Sequence, residues 1–266
     1  MKRLASVATA LLVGLGASSA QAQTPQVVDL PTRPGVTLRM LTIEPASPAS
    51  VVVLISGGAG QLDIAANGYI RRDRNFLVRS RGLFADRGHA VLVLDVPSDH
   101  ARPPYLGGDF RASAEHAADL GAVIAWARTH YGKKVWVVGT SRGTHSAATA
   151  ATQLQGERAP DGIVLTSTIL GHSSLGESTA PPLTEMDLTG LKMPVLVVHH
   201  EQDPCGVCKP ALLPELLKHL PPGTPLHTFN GGQSRGAPCD AFSHHGFNGI
   251  EDQVVEDISA FIRSRP

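Results

Sequence analysis

Ser141, Asp203 and His245 are the residues of this 266-residue chain whose types and order suit nucleophilic attack on a carbonyl carbon. A serine hydroxyl attacks only when a base takes its proton. The base in turn needs an acid to fix its tautomer and stabilise its charged form. Ser141 lies in Gly139-Thr140-Ser141-Arg142-Gly143, a Gly-x-Ser-x-Gly run. Val135-Trp136-Val137-Val138 precede it, and the small residues Ala147, Ala148, Ala150 and Ala151 follow. That pattern reads as strand, sharp turn and helix, the context the pentapeptide requires. Glycines two positions either side of the serine carry no Cβ to crowd the turn, and the helix N-terminus behind it favours developing negative charge.

In an open parallel sheet, reacting groups gather at the carboxyl ends of strands. The chain offers an acid and a base at such ends. An apolar run Val195 to His199 leads into His200-Glu201-Gln202-Asp203-Pro204, and the loop after Phe229 reaches Ser243-His244-His245-Gly246-Phe247 just before the final helical stripe. Glu201 competes with Asp203 as the acid, and His244 with His245 as the base. His199, His200 and Glu201 also have metal-ligand types, but a strand end with buried or rim histidines is the simpler reading. His145, one helical turn beyond Ser141, reads as packing beneath the turn.

The remaining elements read in order. Residues 23–35 are Pro-rich and extended. Val36, Leu38 and Met40 alternate with polar residues as a half-buried strand, and the phase slips near Met40, as at a bulge. Val51 to Ile55, Ala90 to Val96, Gly162 to Ser167 and Pro225 to Phe229 read as further strands. Asn75 to Arg87 is helix-like with Gly88 as its stop. Leu120, Val123, Ile124 and Ala127 mark a helix ending near Gly132, Ala211 to Leu220 is another, and Ile250, Val254, Ile258, Phe261 and Ile262 form one stripe of the last. Strands alternating with helices imply one α/β domain with a mostly parallel sheet covered on both faces. Residues 168–190 leave room for a short lid and little or no cap.

With these features together, the chain resembles the α/β-hydrolase superfamily over roughly residues 35–264. The Ser…acid…His order, the serine turn, the glycine-rich loop after an early strand and His-Gly-Phe before the last helix carry that resemblance. It implies a Ser141–His245–Asp203 triad without a cofactor or metal. One oxyanion donor is then the backbone N–H of Arg142. The other comes from Ser56-Gly57-Gly58-Ala59-Gly60, with Gly58 and Ala59 as alternatives; the loop is similar to a His-Gly-Gly-Gly loop, but Ser56 stands in the place of its histidine. The expected activity is hydrolysis of a small carboxylic ester. Amide hydrolysis shares the intermediate, and a non-catalytic binding protein on the same fold is the alternative outside enzymes.

Lys2 and Arg3, the apolar run Leu4 to Leu15 and Ala20-Gln21-Ala22 have the layout of a signal peptide over residues 1–22, so a periplasmic or secreted product with no membrane span after cleavage is expected. Lys and Arg total 23, as do Asp and Glu, giving a net charge of zero and no field for nucleic acid. Three cysteines are present. A Cys205–Cys239 disulfide would tie the acid loop to the histidine loop; Cys205–Cys208 and Cys208–Cys239 are the other pairings. A lone Cys-x-x-Cys is a poor zinc signal. Arg142 is an unusual charge beside a nucleophile: an internal salt bridge to an acid such as Asp99 or Asp109 is the simpler reading and a substrate carboxylate the alternative, while Arg71, Arg72 and Arg74 read as a solvated face, with a site for anionic substrate as the alternative.

Overall fold

The computed structural model describes residues 24–172 and 180–265. The expected signal peptide and the middle of the expected lid, residues 173–179, lie outside the described residues. Eight strands form one sheet in the order β1-β2-β4-β3-β5-β6-β7-β8. They are β1 (Gln26–Arg33), β2 (Val36–Ile43), β3 (Ser50–Ile55), β4 (His89–Pro97), β5 (Val135–Thr140), β6 (Gly162–Thr166), β7 (Val195–His200) and β8 (Leu226–Phe229). The β1–β2 and β2–β4 pairs are antiparallel, and all pairs from β4 through β8 are parallel. The phase slip seen in β2 is a register shift against β4 between Leu38 and Met40.

The Pro-rich stretch before β2 is itself a strand. Pro31 is tolerated because β1 is the sheet's outer edge and pairs on one side only. The helical stretch from Asn75 is two short helices, α1 (Phe76–Arg79) and α2 (Arg81–Asp86), which meet at Ser80. The Asn75 side chain caps α1 by accepting from the Leu77 N–H. Next come α3 (Gly108–Arg111), α4 (Ala114–Tyr131), α5 (Gly143–Gln153), α6 (Leu213–Lys218) and α7 (Glu251–Arg263). α6 is shorter than its sequence pattern because its first residues, Pro210–Leu212, form a 3₁₀ turn.

Alternate residues of the central strands feed two cores. Val51, Val53 and Ile55 of β3 point to the side of α4, α5 and α6, whereas Val52 and Leu54 pack with Phe76, Phe84, Val254 and Ile258 of α1, α2 and α7. This two-sided burial explains why the central strands read as mostly apolar runs, continuous in β3.

Two buried histidines make stability depend on acid. His89, bonded through Nδ1 to Ser50 Oγ at 2.8 Å, is held down to about 4 by burial and then by the Arg263 and Arg87 charges. His116 is held down to about 3 by burial and then by the Arg111 charge. Both are neutral when folded. Between the ordinary value of 6.5 and these values the unfolded chain binds protons that the folded chain does not, so stability falls as pH drops through that window. Urea midpoints measured from pH 8 to pH 4 are expected to decline below about 6.5, and His89→Gln should reduce the decline.

Candidate active site

β5 ends at Thr140 and α5 begins at Gly143, leaving Ser141 on the turn between them with φ +54°, a left-handed conformation that L-residues rarely take. The turn is held by the Ser141 N–H on the Thr166 carbonyl at 3.0 Å and by the Thr144 N–H on the Ser141 carbonyl at 2.9 Å. The two flanking glycines are required by close approach. A Cβ on Gly139 would lie 2.3 Å from the Gly143 carbonyl oxygen, and one on Gly143 would lie 2.3 Å from that of Ile55. Ser141 and Arg142 are both partly exposed.

Asp203 follows β7 and is buried, and His245 is buried on the 3₁₀ turn His244–Gly246. His245 Nδ1 donates to Asp203 Oδ2 at 2.9 Å, and Asp203 Oδ1 accepts the Cys205 N–H at 2.9 Å. Glu201 instead sits at the rim, accepting from Thr228 Oγ1 and Asn230 Nδ2. His244 stacks on His200 with ring centroids 4.2 Å apart. His199, in β7, is the second imidazole on Asp203, with Nε2 3.4 Å from Oδ2. That nitrogen is committed to the Cys208 carbonyl at 2.8 Å, and burial holds the ring neutral. His145 is buried and bonded to the Pro181 carbonyl, as a packing residue would be.

Two links join the serine turn to the histidine loop. The Ser167 hydroxyl donates to the His245 carbonyl at 2.7 Å, directly after the Thr166 carbonyl that holds the Ser141 N–H. The buried Cys208 thiol lies within 4.8 Å of a His245 ring nitrogen, and the Ser141 hydroxyl is among the groups that bear on its ionisation. Burial and the Asp203 charge raise the Cys208 thiol well above its ordinary range, so it stays protonated here.

The glycine-rich loop after β3 runs against Ser141: a Cβ on Gly57 would lie 2.7 Å from the Ser141 Cβ. Its carbonyls are all engaged. Gly57 O accepts from Gly60 N, Ala59 O from Leu106 N, and Ser56 O and Gly58 O both accept from Arg111 Nη2. The N–H groups of Gly58 and Ala59 donate to none of the described residues, and both residues are exposed. A loop with engaged carbonyls and free amides suits a developing oxyanion.

Cys205 and Cys239 form a disulfide across 34 positions, and Cys208 is free. The bridge joins the Asp203 loop to the segment leading into His245. Closing such a loop stabilises by about 3–4 kcal/mol. The double variant Cys205→Ser/Cys239→Ser is therefore expected to melt about 7–15 °C lower than the wild type in a calorimetric scan.

Asp99 is engaged by Arg33 at 2.9 Å. Arg71 and Arg72 face Asp63 at 3.8 and 3.2 Å with largely exposed side chains, as expected for a solvated face. Arg111 is the site residue that sequence reasoning passed over; Cys208 entered it only as a disulfide alternative, and His199 only as a buried or rim histidine at a strand end, where it is buried.

No protein-family model and no curated protein sequence matches the chain. Solved structures do match. An esterase from Pyrococcus furiosus aligns over 97% of this chain and 99% of its own, with TM-score 0.62 and 16% identity. An esterase domain from Rhodothermus marinus aligns over 90% and 98%, with TM-score 0.60 and 13% identity. A dienelactone hydrolase from Anabaena variabilis aligns over 91% and 96%, with TM-score 0.58 and 17% identity. At these identities the likeness speaks for the fold. With its eight-stranded, mostly parallel sheet flanked by helices on both faces, this chain is an α/β-hydrolase-fold protein.

Proposed function

We propose that this protein is an exported serine hydrolase that cleaves small carboxylic esters. The Ser141 oxygen attacks the ester carbonyl while His245 takes its proton, and Asp203 holds the imidazole in the required tautomer. The Arg142 N–H and the N–H of Gly58 or Ala59 hold the oxyanion. The intermediate collapses as His245 returns the proton to the departing alcohol. Water, deprotonated by His245, then releases the acid from the acyl-enzyme. The scheme calls for no cofactor.

The observation that carries this reading is the His245–Asp203 hydrogen bond at 2.9 Å, in a site whose serine occupies a left-handed turn beside a loop of free amides. The esterase names of several structural counterparts point the same way. Export is supported by the leader pattern and by the disulfide, which an oxidising compartment preserves. No helix among the described residues is long and apolar enough to cross a membrane.

A panel of p-nitrophenyl esters of rising acyl length, paired with the matching p-nitroanilides, tests the proposal. Turnover of short esters without turnover of anilides is the expected result. Anilide turnover at a comparable rate would assign a peptidase or amidase, and turnover of neither would favour a binding protein.

A further inference from the structure

Arg111 is fully buried at the end of α3, and no carboxylate of the described residues pairs with it; the charge that bears on it is that of Arg142. Its guanidinium is satisfied by neutral groups alone. Nη2 donates to the Ser56 carbonyl at 3.1 Å and the Gly58 carbonyl at 3.4 Å, Nη1 to Ser146 Oγ at 2.9 Å, and Nε to the Leu106 carbonyl at 3.4 Å. Ser146 lies on α5, one turn after Ser141, and its hydroxyl also bonds His116 Nε2 at 2.8 Å. One side chain therefore grips both the glycine-rich loop and the helix that begins at the serine turn.

A trans peptide points its C=O and the next residue's N–H in opposite directions. With the Ser56 and Gly58 carbonyls turned toward Arg111, the Gly57 and Ala59 N–H groups face away from it. Burying an arginine without a counter-ion is unfavourable. That cost is offset when negative charge develops on the neighbouring loop.

We infer that Arg111 is a positioning residue that sets the gap between the two halves of the oxyanion site, the loop after β3 and the N-terminus of α5. This rests on the serine-hydrolase reading. Removing the grip leaves substrate binding intact but misplaces donors that matter only in the transition state, and misplacement of about 1 Å can cost on the order of 10²-fold in rate.

The test uses the full chain and its Arg111→Met, Arg111→Lys and Ser146→Ala variants. Each is measured for ester kcat and KM and for affinity toward a trifluoromethyl ketone, whose serine adduct carries an oxyanion. For Arg111→Met a fall in kcat of about 10- to 100-fold with KM within about threefold is expected, and ketone affinity should weaken in step with kcat. Arg111→Lys should recover part of the loss, and Ser146→Ala should show a smaller loss with the same pattern. If Arg111→Met does not fold, the other two variants decide. Should every folded variant keep kcat and ketone affinity within twofold of wild type while the wild type binds the ketone through Ser141, the role of Arg111 is overturned and the serine reading stands. Should the wild type form no adduct at Ser141, the serine reading fails and takes this inference with it.

Discussion

Ser141→Ala is expected to lower kcat for ester substrates by on the order of 10⁶-fold, the loss typical of removing an activated serine nucleophile. Its fold should survive, because alanine adds no atom to the turn. Ser141→Gly should be equally inactive but at least as stable as the wild type. A left-handed φ costs an L-residue roughly 1–2 kcal/mol and glycine nothing, while glycine's looser unfolded chain returns about 0.4–1 kcal/mol of that gain. An active Ser141→Gly protein would contradict the nucleophile assignment. A Ser141→Gly protein that melted well below the wild type would contradict the strain assigned to the turn.

Asp203→Asn carries the second large effect, an expected drop in kcat on the order of 10⁴-fold with little change in KM. The network around Asp203 gives the reason. One oxygen must keep accepting the Cys205 N–H, so an asparagine there turns its NH₂ toward His245 Nδ1. The imidazole is then driven into the tautomer that carries its hydrogen on Nε2, and it can no longer take the serine proton. The same NH₂ also meets the His199 Nε2–H, which already serves the Cys208 carbonyl. Glu201→Gln provides the contrast: among the described residues that side chain hydrogen-bonds only Thr228 and Asn230 at the rim, so kcat should remain within about twofold of wild type, as is usual for surface changes. Steady-state kinetics of both variants check the assignment. Retention of more than a tenth of wild-type kcat by Asp203→Asn would overturn the role of Asp203.

Much of the fold is legible in the residues because the physics is local. β3, β5, β6 and β7 are buried on both faces, so each shows an apolar run whose end marks a loop at the sheet edge, while in β4 that run covers 90–94 and is broken by the buried Asp95. The serine turn announces itself because the close approach of Gly143 to Ile55 excludes any Cβ. β1 is harder to see, since an edge strand accepts Pro31 and half-exposed positions without losing its one ladder. The break at Ser80 has no proline to signal it, and a continuous helix fits the same apolar spacing.

The site is legible to a similar depth and then stops. The order Ser141, Asp203, His245 follows from where strands end, and the bridge between Cys205 and Cys239 follows from the two loops that need tying. Arg111, Cys208 and His199 have no such signature. Arg111 reaches residues 35 to 55 positions away, and Cys208 comes within 4.8 Å of a His245 ring nitrogen across the packing rather than along the chain. Spacing arguments see neighbours on one element, whereas these contacts are made by the packing of several.

Reaction with a fluorophosphonate probe, followed by peptide mapping of the adduct, tests the central claim most directly. A single adduct on Ser141, abolished in Ser141→Ala and strongly slowed in Asp203→Asn, is the predicted result. An unlabelled Ser141 in folded, disulfide-intact protein, or an adduct that forms equally well without Asp203, would contradict it.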